Sequence, residues 1–79
     1  MPTREELDEE DRLVRNLRMA VDLALSVIGQ TDMTLAQAEE VVSATRGMAL
    51  LLFPGKELAF DLIYLPRFRR LLTERYRLH

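Results

Sequence analysis

Histidine, cysteine and paired carboxylates are the residue types most able to do chemistry in a small protein, and this chain has few of them. Its one histidine is the last residue, His79, and it contains no cysteine. A Ser-His-Asp arrangement needs a histidine held against a nucleophile, and a histidine-based metal site needs at least two such ligands. Thiolate nucleophiles, thiolate metal sites and disulfides are excluded by composition. We therefore expect no enzyme activity, catalytic residue, metal, cofactor or small-molecule substrate.

Two carboxylates are the remaining candidates for chemistry. Glu57 and Asp61 are four residues apart, which places them on the same side of a helix. At that spacing they could bind a hard cation or share a proton. No further ligands occur at matching positions, so we favour a solvated surface or a salt bridge.

Three charged residues occur within apolar segments: Asp22, Arg46 and Asp61. A charge removed from water without a partner is unfavourable by several kcal/mol. We therefore predict that Arg46 bonds to Asp61 or to Asp22. Arg18, four residues before Asp22, is an alternative local partner for that aspartate.

The elements that must position these groups are predicted to be helices. Apolar residues recur at helical spacing, and Thr3 with Glu6 and Thr34 with Gln37 have the spacing of capping boxes. Gly29 is expected to stop the first helix. The result is an all-α fold, a small three- to four-helix bundle that forms a single domain over residues 1–79. The expected helices span about 4–28, 35–53, 56–65 and 66–77.

The most apolar stretch runs from Met48 to Leu65 and is interrupted by Pro54 and Gly55. It could form a β-hairpin, but its residues before and after the turn favour helices and do not alternate in polarity. We therefore predict a helical hairpin at the centre of the core. Pro66 then either kinks the next helix or opens a separate one, and we favour a break at Leu65.

This stretch is apolar nearly all round, and a helix of that kind must be covered on every side. A three- or four-helix monomer has no helix central enough, so we expect a partner to cover the outer face of the hairpin. A two-fold homodimer is the commonest solution, and another protein is the alternative. The expected function is a protein–protein interaction module, an adaptor or regulator. The expected contact residues are Leu50, Leu51, Phe53, Phe60 and Ile63.

Charge is distributed unevenly, and this gives the alternative function. Residues 1–12 are acidic and residues 56–79 are basic, although the net charge is only −2. An arginine-rich terminal helix could bind nucleic acid through phosphate contacts. The residues concerned are Arg67, Arg69, Arg70, Arg75 and Arg77. The overall pI of about 5.3 argues against this alternative.

Localisation is expected to be cytoplasmic. The first residues are acidic, where a secretory signal would be basic, and the lack of cysteine fits a reducing compartment. No apolar run approaches the roughly 20 residues that a membrane-spanning helix needs, so no membrane partner is expected.

Overall fold

The computed structural model describes residues 1–77, and His79 lies outside this range. Residues 1–77 fold into four α-helices and the segments that connect them. The helices are α1 (Arg4–Gln30), α2 (Leu35–Leu52), α3 (Glu57–Ile63) and α4 (Leu65–Tyr76). The predicted all-α, four-helix architecture is confirmed. Residues 1–77 contain no β-strand, so the β-hairpin alternative is wrong.

The helix starts follow the capping signals. Gln37 donates its backbone N–H to Thr34 Oγ1 at 3.2 Å, and Thr34 donates its own N–H to Gln37 Oε1 at 2.9 Å, which completes the capping box of α2. At α1, Thr3 Oγ1 accepts from the Glu6 N–H at 3.2 Å, which is one of the two bonds of the predicted capping box. These bonds satisfy backbone donors that a helix start leaves without partners.

The predicted glycine stop of α1 is wrong. The helix continues through Gly29 to Gln30, and its C-cap Thr31 has an extended backbone. Among residues 1–77, Gly55 is the glycine with a left-handed φ, 79°. It lies in the turn after α2, where a side chain would be strained. The end of α1 is instead held by a side chain of α4, as described below.

The α3–α4 junction resolves the role of Pro66. The break falls at Tyr64, one residue earlier than predicted, and Pro66 lies in the first turn of α4. A proline there needs no N–H, because the first turn has no carbonyl to receive it. The Tyr64 carbonyl accepts from the Arg67 and Phe68 N–H groups at 3.0 and 3.4 Å. Two helices therefore form, and not one kinked helix.

The core lies mainly between the second half of α1, the inner side of α2, and α4. Its buried apolar residues are Leu17, Val21, Ala24, Ile28, Ala38, Val42, Ala49, Phe60, Phe68 and Leu72. The stretch from Met48 to Leu65 supplies only Ala49 and Phe60 of these, so its predicted position at the centre of the core is wrong. The physical reason is that α3 is short and packs on α2 and α4 but not on α1.

The molecule is elongated, with extents of 47 × 22 × 16 Å and a radius of gyration of 14.3 Å. A compact chain of this length would have a radius of about 12 Å. The difference comes from α1, whose 27 residues make a rod about 40 Å long. Its first turns have no neighbouring helix, and every residue from 1 to 12 is exposed.

Candidate functional site

An apolar groove lies where α1 and α3 fail to meet. No Cα atom of α3 comes within 8 Å of one in α1, although both helices flank α2. The groove between them has a volume of about 310 Å³. Val14 and Leu17 line it from α1, and Ala59 and Ile63 line it from α3. Its floor is formed by Ala49, Leu50, Phe53 and Phe60, and Lys56 and Tyr64 are its polar lining residues.

Four of the five predicted contact residues line this groove: Leu50, Phe53, Phe60 and Ile63. Their accessibility differs, because Phe60 is only 4% exposed whereas Ile63 is 60% exposed. Phe60 is therefore a floor residue and presents little surface of its own. Leu50 and Phe53 are half-buried between these extremes.

The fifth predicted contact residue, Leu51, lies apart from the groove. It is 82% exposed and is not among the residues that line the groove. One residue turns a helix by about 100°, so Leu51 points away from the direction of Leu50. The five residues therefore do not form one continuous patch. The helical periodicity of α2 was enough to predict that Leu51 and Leu50 lie on different sides of the helix.

The walls that α1 contributes were missed in the sequence prediction. Val14 and Leu17 belong to the apolar stripe of α1 and were not among the predicted contact residues. The sequence did contain a signal for this wall. The apolar stripe of the predicted first helix is longer than the second helix, so part of it could not be covered by that helix. Ala59 and Tyr64 carried no comparable signal, because their role depends on where α3 packs.

A salt bridge fastens α2 to α3 beside the groove. Arg46 donates from Nε to Asp61 Oδ1 at 2.8 Å and from Nη2 to Asp61 Oδ2 at 3.0 Å. The prediction that Arg46 pairs with Asp61 or Asp22 is confirmed for Asp61. This bidentate geometry is the strongest form of an arginine–carboxylate pair. It also explains Asp61 within an apolar segment without invoking a cation shared with Glu57.

The pair makes stability depend on pH. The hydrogen bond from Arg46 holds the pKa of Asp61 below its ordinary value, and the charges of Arg46 and Arg69 act in the same direction, while burial opposes them. In the unfolded chain Asp61 has the ordinary pKa of about 3.9. The pair therefore stabilises the fold above that pH, and the contribution is lost as pH falls through the lower pKa of the folded state.

We expect Asp61→Asn to destabilise the protein at pH 7 and to have a smaller effect in acid, below about pH 4. Urea unfolding of the variant and the original chain at both pH values measures this. Arg46→Met supplies the matched control, because Asp61→Asn added to it should produce a much smaller pH-dependent difference, the remainder coming from Arg69 and burial. An equal loss at neutral and acid pH in the single variant would contradict the role of this pair.

Asp22 has a different partner from either one predicted. Arg67 Nη2 donates to Asp22 Oδ1 at 3.2 Å, joining α4 to α1. Both predicted alternatives, Arg46 and Arg18, are therefore wrong for Asp22. The reason is tertiary, because α4 runs alongside α1 in the same direction and brings Arg67 over the aspartate.

Arg75 and Tyr76 form what we call the C-terminal clasp. Arg75 donates from Nη1 to the Gly29 carbonyl at 3.0 Å and from Nη2 to the Thr31 carbonyl at 2.6 Å. Tyr76 donates its hydroxyl to the Met33 carbonyl at 2.8 Å. The clasp satisfies carbonyls at the end of α1 and in the connection to α2. It fastens the last turn of α4 to the end of α1 and to the connection that follows it.

The five arginines predicted for nucleic-acid binding are thus not equivalent. Arg67 and Arg75 are engaged by Asp22 and by backbone carbonyls. Arg69 lies near enough to Asp61 to lower its pKa. Arg70 and Arg77 are exposed. The arrangement places at least two of the five in structural contacts, which weakens the case for a phosphate-binding surface.

Neither a metal site nor a membrane span is evident in residues 1–77. Within that range no three histidine, cysteine or acidic side chains are grouped so that they could hold a metal ion. None of the helices in the same range combines the length and the apolar character needed to cross a bilayer.

Comparison with known proteins adds no further assignment. No family model, curated protein or solved structure matches the chain.

Proposed function

We propose that this protein is a helical protein–protein interaction module that acts as a two-fold homodimer, with the groove between α1 and α3 as its contact surface. One observation carries the proposal: the groove is apolar on both walls and its floor, yet nothing in residues 1–77 covers it. Apolar surface left in water is unfavourable by about 25 cal/mol per Å². A partner that fills the groove removes that penalty.

The surroundings of the groove support the same proposal. Ile63, on the wall that α3 contributes, is 60% exposed, and the half-buried Leu50 and Phe53 also line the groove. Clusters of exposed apolar residues on a small protein mark interaction surfaces. In this proposal the protein works by contact and not by catalysis, and its cysteine-free composition fits the cytoplasm.

Sedimentation equilibrium tests the proposal directly. At micromolar concentration the chain is expected to have twice the monomer mass. Ile63→Asp, at the rim of the groove, should weaken dimerisation about tenfold or more, because it places a charge where an apolar side chain is buried. A chain that remains monomeric throughout the concentration range would refute the homodimer.

Leu62→Asp is the matched control for this experiment. Leu62 is 68% exposed, against 60% for Ile63, and it is the neighbouring residue on the same helix. It is not a lining residue of the groove. We expect its substitution to leave the association constant within about threefold, since exposed substitutions away from an interface change little. Equal effects of the two variants would shift the interface away from the groove.

A further inference from the structure

The first turns of α1 form an arm that no other helix of residues 1–77 contacts. This arm, residues 4–12, is helical and exposed throughout. Nine helical residues extend about 13 Å. The arm continues a 27-residue helix, so its helical form needs no partner, but its exposed side chains are free to contact another molecule.

The arm carries a single apolar residue, Leu7, which is 47% exposed. Leu7 and Val14 are seven residues apart, so they differ by only about 20° around the helix. Val14 is a wall of the groove. The apolar stripe that lines the groove therefore continues onto the arm and out of the bundle.

The charges of α1 divide into two blocks. Residues 4–11 contain six carboxylates and one arginine, whereas residues 12–18 contain three arginines and no carboxylate. The groove begins beside the basic block, at Val14 and Leu17, and Lys56 lines its other side. An acidic segment that carries one leucine matches this site in both charge and polarity.

The arm cannot reach the groove of its own chain. Residues 4–30 form one continuous helix, so the arm points away from the bundle that contains the groove. The segment that matches the groove must therefore come from a second molecule. With two-fold symmetry each copy offers both the arm and the groove, and the contact forms twice.

We infer that the occupant of the groove is the acidic arm of a second copy, exchanged reciprocally between two antiparallel α1 helices. In this arrangement Leu7 of each copy lies at the level of Val14 in the other. Glu6 and Glu9 of the arm then face Arg15 and Arg12 of the partner copy. The inference rests on the homodimer proposed above and adds its contact geometry.

Substitution of Leu7 tests the exchange in the full-length chain. Leu7→Asp should weaken dimerisation about 30-fold, because two leucines per dimer lose their burial. Leu23→Asp is the control. Leu23 is 66% exposed and lies on the opposite side of α1, about 160° from Leu7. Sedimentation equilibrium should show little change for this control, and both variants should keep the circular dichroism of the original chain.

A charge exchange tests the antiparallel alignment separately. One variant carries Glu6→Arg and Glu9→Arg, and the other carries Arg12→Glu and Arg15→Glu. Each variant alone places like charges together in both contacts, so each should be mainly monomeric. An equal mixture restores opposite charges at both contacts and should form heterodimers. A role of these residues in folding alone would not give recovery on mixing.

The outcomes separate this inference from the proposed function. If Leu23→Asp dissociates the dimer and Leu7→Asp does not, the arm exchange is overturned while the homodimer stands. If the original chain is always monomeric, both are overturned. If Leu7→Asp stays dimeric and the charge variants do not recover on mixing, some other occupant fills the groove and the exchange is rejected.

Discussion

Phe68→Ala is expected to lower the free energy of unfolding by about 3–5 kcal/mol, the usual range for truncation of a buried phenylalanine. Phe68 has no exposed surface and is the largest of the fully buried side chains. It belongs to α4 and packs into the core that α1 and α2 form on their inner sides. Its removal would leave a cavity shared by three helices.

Urea unfolding followed by circular dichroism, at one fixed protein concentration, measures this loss. The total stability of small domains is about 5–15 kcal/mol, so a loss of this size removes most of the stability of a domain at the lower end of that range. Met19→Ala is the control, because Met19 is 69% exposed on α1. It should change stability by less than about 0.5 kcal/mol. A loss below about 1 kcal/mol for Phe68→Ala would mean that α4 does not close the core.

The second large effect is expected at the C-terminal clasp. Arg75→Met should lower the free energy of unfolding by about 2–3 kcal/mol, since hydrogen bonds from a charged donor contribute about 1.5–3 kcal/mol each and these are partly open to water. The two bonds to the Gly29 and Thr31 carbonyls would both be lost. Methionine keeps much of the apolar length, so the change isolates the guanidinium.

Two further variants make the clasp prediction specific. Arg75→Lys should recover less than half of the loss, because one ammonium group lacks the planar fork that reaches two carbonyls. Arg70→Met removes an exposed arginine from the same helix and should have an effect under about 0.5 kcal/mol. If Arg75→Met and Arg70→Met were equally mild, the clasp would contribute nothing to the stability of the fold.

Local signals in the sequence were sufficient for the helices themselves. The Thr34–Gln37 capping box and the apolar periodicity depend on contacts within a few residues, so α1 and α2 begin where predicted. That Arg46 pairs with one of two aspartates, Asp61 or Asp22, was also predictable. A charge in an apolar segment requires an opposite charge, and few candidates existed.

Other features depended on how the helices pack. The end of α1 could not be placed from Gly29, because the carbonyls there are satisfied by Arg75, 46 residues away. Asp22 could not be assigned to Arg67 for the same reason. These long-range contacts depend on the direction in which α4 packs along α1. No local sequence pattern indicates that direction.

The stretch from Met48 to Leu65 shows the division most clearly. Its sequence predicted that it is helical, that Pro54 and Gly55 interrupt it, and that its outer face needs a partner to cover it. Only the tertiary structure decided which surface remains open. Because α3 is seven residues long and packs on α2 and α4 without reaching α1, the uncovered side became a groove, and the remaining length of α1 became a free arm.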